Sequence, residues 1–369
     1  MTALAQDISI MKEREKVDVA SQLIQAARES GCSPFSMAID FLKLRRQRGK
    51  LNFYEYILYG LYDKSHWSEE ERDEFVSAHI HWPLVNVCND RKWWALSEDK
   101  WLSACFLQQN SIPVPETLAV FDMGMRHFGD TKCMKTADEI KSFFKSCDAY
   151  PIFAKPIGGI WSAGAMRISG HTETHVLLDG KEALTFEELA DDVISDQPYI
   201  FQKCLKPHGF FDGLTDAVAT IRCLNLIKKD GLHVPHTLLK LPQQGNIADN
   251  LWRPGNLLCE IDPETGTIVA LVTVKDGRRS TLDALPDADR ALVGETLPFW
   301  NELKDLNARV ALLHAANRYG STDIALTPDG PVVVEVNNSC AFELIQIATG
   351  KGFMNDEMTS FFRGCGATI

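Results

Sequence analysis

The spacing of apolar and polar residues gives the chain two textures. Up to about residue 95 the pattern is mostly helical. Apolar residues recur at helical spacing over 17–27, again through Met37, Ile39, Phe41 and Leu42 after Ser33-Pro34, and over 53–61. Ser68-Glu69-Glu70-Glu71 reads as an N-cap with an acidic first turn. A helix capped by Ser97-Glu98-Asp99 is predicted over 97–110. After Ile112-Pro113-Val114-Pro115, strand and helix alternate. Strands are predicted over 150–157, 165–168, 199–205, 217–228, 236–241, 256–261 and 267–274, and a helix capped by Thr185 over 185–194. Two helices broken near Leu297-Pro298 are predicted over 287–318. The fold class is α+β, with many antiparallel hairpins in the second half.

The last hairpin, 322–338, carries the clearest chemistry. Two apolar runs flank Pro328-Asp329-Gly330, where Pro presets φ and Gly accepts a positive φ. Asp323 lies on the first strand, Glu335 and Asn337 on the second. Glu335 and Asn337 are two apart and so share a face. Carboxylate and amide oxygens on one face suit Mg²⁺, which also takes substrate phosphates.

Composition narrows the picture only slightly. The 369 residues suffice for two or three domains, and 45% hydrophobic with 24% charged residues is ordinary for a soluble globular chain. A net charge of −12 disfavours nonspecific nucleic-acid binding. Ten scattered cysteines without a CxxC pair read as reduced cytoplasmic thiols. Residues 1–12 lack the pattern of a signal peptide, and no apolar run is long enough to span a membrane.

A second constellation is the turn after Phe153-Ala154-Lys155-Pro156, containing Gly158, Gly159 and Gly164. Glycines let backbone N–H groups approach phosphates, and Lys155 supplies charge. Neither the Walker A pattern nor GxGxxG is present. Gln202-Lys203-Cys204-Leu205 ends a strand that could offer its backbone to an adenine edge. Taken singly, each feature has a bland reading: a surface turn, an edge strand, a solvated Lys100 on its helix.

In order, Lys100, Ile112-Pro113-Val114-Pro115, Lys155 with its glycines, Gln202-Lys203-Cys204-Leu205, Asp323, Glu335 and Asn337 resemble the ATP-grasp superfamily. Leu51-Asn52-Phe53-Tyr54-Glu55-Tyr56, Pro207-His208, Ala219-Thr220-Ile221-Arg222, Asp249-Asn250 and Leu297-Pro298-Phe299-Trp300 make the chain most similar to its sugar-transfer-associated family, over roughly 50–350. The resemblance implies an ATP-grasp fold, two α+β subdomains gripping ATP, over 96–350. A lid at about 135–205 and a catalytic subdomain at about 206–350 would follow a helical region, 1–95, and precede a tail, 351–369. It further implies that Lys100 and Lys155 contact ATP phosphates and that the 158–164 loop closes over them. Gln202, Lys203 and Leu205 would line the adenine pocket, and Asp323, Glu335 and Asn337 would hold Mg²⁺. Trp161 is bulky for a phosphate-covering loop and would pack on substrate or lid.

Arg222 sits inside an apolar strand, where an unpaired charge is costly, so it is expected to meet a phosphate or carboxylate. Lys240 and Arg253 read as surface charges. Arg278-Arg279, which follow the loop Lys275-Asp276-Gly277, could clamp an acidic acceptor. His208 and His236 read as structural residues. Lys43, Arg45, Arg46, Arg48 and Lys50 read as a solvated helix face. The activity implied is an ATP- and Mg²⁺-dependent carboxylate–amine ligase working through an acylphosphate, with Arg222, Lys155 and Arg278 as catalytic residues. Its partners would be a small-molecule carboxylate, such as an acidic sugar or amino acid, and an amine. The alternative is a kinase acting on a sugar or other hydroxyl. The N-terminal helical region stays open between substrate selection and dimerisation as a homodimer.

Overall fold

A computed structural model describes residues 19–369 apart from Trp161, Lys181, Gln244 and residues 286–289. Residues 1–12, the predicted helix start at Val17, Trp161, and Asp287 lie outside the described residues. The helical texture of the N-terminal region is present. It holds α1 (Val19–Ser30), α2 (Pro34–Arg46), α3 (Phe53–Leu58), α4 (Glu69–Asp73), α5 (His81–Cys88) and α6 (Ala95–Glu98). Caps fix these short elements: Asn52 with Glu55, and Ser68 with Glu71, form reciprocal capping boxes that satisfy orphan N–H groups at each start. Helix α7 (Lys100–Gln109) starts later than predicted. Asp99 is its cap, accepting from the Leu102 N–H at 2.9 Å, because Ser97 belongs to α6.

Among the described residues the strands form two sheets. The first holds β1 (Thr117–Phe121), β2 (Cys133–Met134), β3 (Ile152–Pro156), β4 (Met166–His171), β5 (His175–Leu178), β6 (Leu184–Thr185) and β7 (Tyr199–Lys203), in the order β2-β1-β7-β3-β4-β5-β6. Helix α8 (Ala137–Ser146) packs Ile140, Phe143 and Phe144 against it. The helix predicted over 185–194 is a wide π turn, Glu188–Val193, with Thr185 accepting from the Glu188 N–H at 3.1 Å as expected of a cap.

The second sheet holds β8 (Thr220–Lys228), β9 (Gly231–His233), β10 (Thr237–Leu241), β11 (Leu257–Ile261), β12 (Ile268–Lys275), β13 (Arg278–Leu282), β14 (Tyr319–Thr327) and β15 (Gly330–Asn337). Its order is β13-β12-β11-β10-β8-β14-β15, with β9 on β8. Arg278 and Arg279 follow the turn at Asp276-Gly277 and open β13, a strand that the sequence pattern does not predict. The two helices predicted over 287–318 reduce to one, α9 (Trp300–Leu313). Residues 290–298 instead form turns held by the Arg290–Glu295 pair and a bridge from Thr296 to Thr267. Helices α10 (Phe342–Thr349) and α11 (Asp356–Gly364) follow. The segment read as a tail thus carries α11, with Met358, Phe361 and Phe362 buried.

Both faces of the second sheet are covered. Alternation sends Ile221, Cys223, Leu239 and Leu241 toward α9, where they meet Leu303, Leu306 and Val310. The opposite face sends Leu224, Leu226, Leu238, Leu258 and Val272 toward the N-terminal helices and α10–α11. The N-terminal region is therefore a covering layer of this sheet. Asn89, just after α5, fastens it to the last hairpin: its amide donates to the Tyr319 and Asn338 carbonyls at 2.8 and 2.6 Å and accepts from the Tyr319 N–H at 2.9 Å.

Candidate active site

Directly opposed residues of an antiparallel pair face the same side of the sheet. Arg222 on β8 lies opposite Leu238 on β10 and Asp323 on β14, and Asp323 lies opposite Glu335 on β15. Lys240, two residues past Leu238, shares that face. The charged row thus occupies the same face as the helical layer, where the apolar rows stop.

Asp323 is the hub. Its Oδ1 accepts from Arg222 Nε at 2.7 Å, and its Oδ2 accepts from Arg222 Nη2 at 2.6 Å and Lys240 Nζ at 3.1 Å. Lys240 also pairs with Asp249 at 3.1 Å, and the Thr220 hydroxyl donates to that same carboxylate. Burial pushes the Asp323 carboxyl up, but the charges of Arg222 and Lys240 outweigh it and hold the pKa well below the usual range. Burial likewise works against the Arg222 charge, and Asp323 reverses it. The carboxylate expected for Arg222 is therefore the protein's own. The reading of Lys240 as a surface charge is corrected: it is buried and bridges two aspartates. Its signal was the one used for Arg222, a charge inside an apolar strand.

The facing side comes from the first sheet and α7. Lys155 sits on β3 opposite Ile200 of β7, and Gln202, opposite Phe153, lies two residues along on the same face. Lys100 is the first residue of α7. Its N–H donates to the Ile157 carbonyl at 3.1 Å, its Nζ donates to the Gly159 carbonyl, and it pairs with Glu335 Oε1 at 3.2 Å. Burial pulls the Lys155 pKa down to about 8, against the attraction of Glu335. Burial also acts on Glu335, raising its pKa, yet Lys100 and Lys155 hold it below the ordinary value. Lys100, Lys155, Gln202 and Glu335 line one cavity of about 20 Å³, room for about one water molecule. That space is far smaller than a nucleotide.

The glycine-rich loop is 158–164. Gly164 has φ +74°, and a Cβ on it would lie 2.6 Å from the Tyr199 hydroxyl oxygen, so a side chain is excluded on both counts. A Cβ on Gly159 would lie 2.9 Å from the Pro156 side chain, whereas Gly158 has nothing within 4 Å. Arg253, also expected at the surface, donates to the Ser162 carbonyl at 3.2 Å and ties the loop to the second sheet's side.

Other expected residues are placed elsewhere. Lys203 is exposed, its N–H donating to the Glu116 carbonyl at 2.9 Å, and neither it nor Leu205 lines the small cavity. Arg278 opens β13, three strands from β10. His208 accepts from the Phe210 N–H as a turn cap, and burial pulls His236 down to about 4.

Whether this set suits a divalent cation can be asked of its donors. Among the described residues no group of three or more His, Cys, Asp or Glu side chains converges, so any site here must combine two carboxylates with an amide. Asp323 accepts three hydrogen bonds, which leaves about one of its roughly four lone-pair sites. Glu335 faces the lysines. Asn337 shares their face, and its Nδ2 is buried without a hydrogen-bond partner; Oδ1 is the atom that would meet a cation. Hard oxygens with few protein ligands fit Mg²⁺, which keeps waters and takes phosphates.

Several solved structures resemble the chain in fold. VanG D-Ala:D-Ser ligase from Enterococcus faecalis is 14% identical with a TM-score of 0.40, over 76% of this chain and 64% of that one. D-alanyl-alanine synthetase A from Vibrio cholerae O1 biovar eltor is 13% identical at 0.42, over 75% and 66%. L-amino acid ligase from Bacillus licheniformis is 13% identical at 0.38, over 73% and 48%. The chain thus spans about half to two thirds of the length of these structures. No curated protein matches it. The family described as sugar-transfer associated ATP-grasp matches residues 82–360, which include the last helices of the covering layer, both sheets and every residue of the charged row. The chain belongs to the sugar-transfer associated ATP-grasp family.

Proposed function

We propose that the protein is an ATP- and Mg²⁺-dependent carboxylate–amine ligase. The observation that carries this reading is the convergence of Lys100 and Lys155, from separate elements, on Glu335 beside Asp323 and Asn337. Two cations facing hard-oxygen donors suit phosphate chains held between lysines and metal. On this reading 135–205 act as the lid, 206–350 as the catalytic subdomain, and Gln202 meets adenine.

The proposed reaction balances in two steps. A carboxylate oxygen attacks the γ-phosphorus, the bond to the β-phosphate oxygen breaks, and ADP leaves. An amine nitrogen then attacks the acyl carbon, phosphate departs with the bonding pair, and the amine loses a proton. Bound Mg²⁺, held by Glu335 and Asn337 with Asp323, would supply charge neutralisation at the phosphates. Lys155 and Lys100 would bind and orient the phosphates by charge. Glu335 must release Lys100 as phosphates arrive, which frees the lysine for them. Asp323, pinned by Arg222 and Lys240, keeps its charge and position throughout. Closure of the 158–164 loop would exclude water from the acylphosphate.

The test is ADP release by the purified protein with Mg²⁺-ATP, against amino acids and acidic sugars singly and in pairs. Release requiring both a carboxylate and an amine supports the ligase. Release with a hydroxyl compound alone, leaving a phosphorylated product, replaces it with a kinase.

A further inference from the structure

A much larger cavity, about 420 Å³, lies away from the charged row. It opens where α3 and the loop after it meet β13 and the C-terminal end of α10, with Tyr62, Trp67, Phe75, Arg278 and Arg279 among its walls. Since β13 is three strands from β10, the two sites are separated by roughly 14 Å of sheet at about 4.8 Å per strand. The core residues Leu258 and Val272 fill that interval. The volume is in the range of small-molecule sites.

Its chemistry is that of an anion site with a ring platform. Arg279 donates from Nε to the Ile347 carbonyl at 2.6 Å and from Nη2 to the Ala348 carbonyl at 3.3 Å. These bonds orient the guanidinium but do not neutralise it, and among the described residues it makes no ion pair. Burial lowers its pKa against a distant Glu260, so the fold bears a half-desolvated cation there. Arg278 enters the same cavity with its guanidinium 6.0 Å from the Tyr62 ring centroid. The cavity's carboxylate, Asp63, whose Oδ1 accepts from the Ser65 N–H at 3.0 Å and hydroxyl at 2.5 Å, keeps its charge but is outnumbered by the two guanidiniums. Tyr62 and Trp67 line the cavity, and Trp67 is held edge-on to Phe75 with centroids 5.2 Å apart.

We propose that this cavity is a second ligand site, separate from the nucleotide site, that binds a phosphorylated sugar. The phosphate sits on Arg278 and Arg279, and the sugar ring lies against Tyr62 and Trp67. Two neighbouring guanidiniums suit a dianion better than a monoanionic carboxylate, because together they bring two positive charges. The C–H face of a sugar ring suits an aromatic wall. This inference does not depend on the ligase reading.

The experiment is calorimetric titration of the full-length protein with glucose 6-phosphate, with inorganic phosphate, glucose and glucuronate as comparisons. Glucose 6-phosphate is expected to bind saturably and more tightly than the other three. Arg278→Gln and Arg279→Gln should each weaken it about tenfold or more. Lys100→Gln should leave it unchanged, and Trp67→Phe should remove any fluorescence change on binding. Absence of saturable binding near about 1 mM overturns the proposal, as does equal binding in both arginine variants. Loss of binding in Lys100→Gln would assign the ligand to the nucleotide site instead. Inorganic phosphate binding as tightly as the sugar phosphate would remove the ring contact, and tighter glucuronate binding would make the ligand a carboxylate. Arg279 also holds the end of α10, so if Arg279→Gln does not fold, Arg278→Gln and Tyr62→Leu decide the matter.

Discussion

Replacing Asp323 by Asn keeps the shape of the side chain and removes its charge. Its side chain is 3% exposed and that of Arg222 15%, so water cannot take over the lost pairing. Arg222 would be left facing a neutral amide in a buried row, and Lys240 would keep only Asp249. Removing one partner of a buried ion pair typically costs about 3–5 kcal/mol. Because Lys240 retains Asp249, the lower end applies, about 3 kcal/mol. Urea unfolding followed by circular dichroism measures this directly. The double variant Arg222→Leu/Asp323→Leu should cost less than the sum of its single changes, with a coupling of about 2–3 kcal/mol, since neither charge is then stranded. An Asp323→Asn variant within about 1 kcal/mol of the parent, or additive single changes, would refute the buried pairing as the source of the effect.

Glu335→Gln should abolish ADP release but change the melting temperature little, because Glu335 is partly exposed and its partner Lys100 retains the Gly159 carbonyl; unchanged turnover would remove Glu335 from the phosphate site. The Lys155 pKa of about 8 predicts that kcat/KM for ATP falls as pH rises through about 8, where the folded protein loses this cation. Lys155→Arg should abolish that alkaline limb, since guanidinium stays charged. His81, His236 and His314 are pulled down to about 4 by burial, so the folded protein binds fewer protons than the unfolded chain between the ordinary value and pH 4, and stability should fall as pH drops through that window. His314, whose ring nitrogens lack partners among the described residues, can be replaced by Phe to flatten the melting-temperature profile there. Gly164→Ala should lower turnover and melting temperature together, from about 1–2 kcal/mol of left-handed strain plus the clash with Tyr199; a neutral result would mean the loop is not held as described.

The sequence by itself determined the local elements whose causes are local. Apolar runs ended by turn residues marked most strands of the second sheet, and Ser68 and Thr185 marked real caps because a cap is settled within one turn of chain. The turn at Pro328-Asp329-Gly330 marked the hairpin, and the two-residue spacing put Glu335 and Asn337 on one face, but Asp323 comes opposite Glu335 only through a bulge between Asp323 and Ile324, which the sequence did not show. It failed where context overrode pattern. Residues 290–298 carry helical spacing but are held as turns by Arg290–Glu295 and by the Thr267–Thr296 bridge, the latter a contact no local window contains. No strand is predicted at Arg278–Leu282 because β13 has no apolar alternation; pairing with β12 at the sheet edge defines it.

Tertiary structure decided everything that depends on which charges meet. Arg222 and Lys240 carried the same sequence signal, yet only the register of β8, β10 and β14 shows that both surround Asp323. Lys100 and Glu335 are far apart in sequence, and their pairing exists because α7 and β15 are brought together in the fold. The larger cavity is likewise unreadable from sequence, since its walls come from the covering helices, a sheet edge and the end of α10. Pattern and propensity act over a few residues, whereas charge pairing and cavity shape act between elements that the chain joins only after it folds.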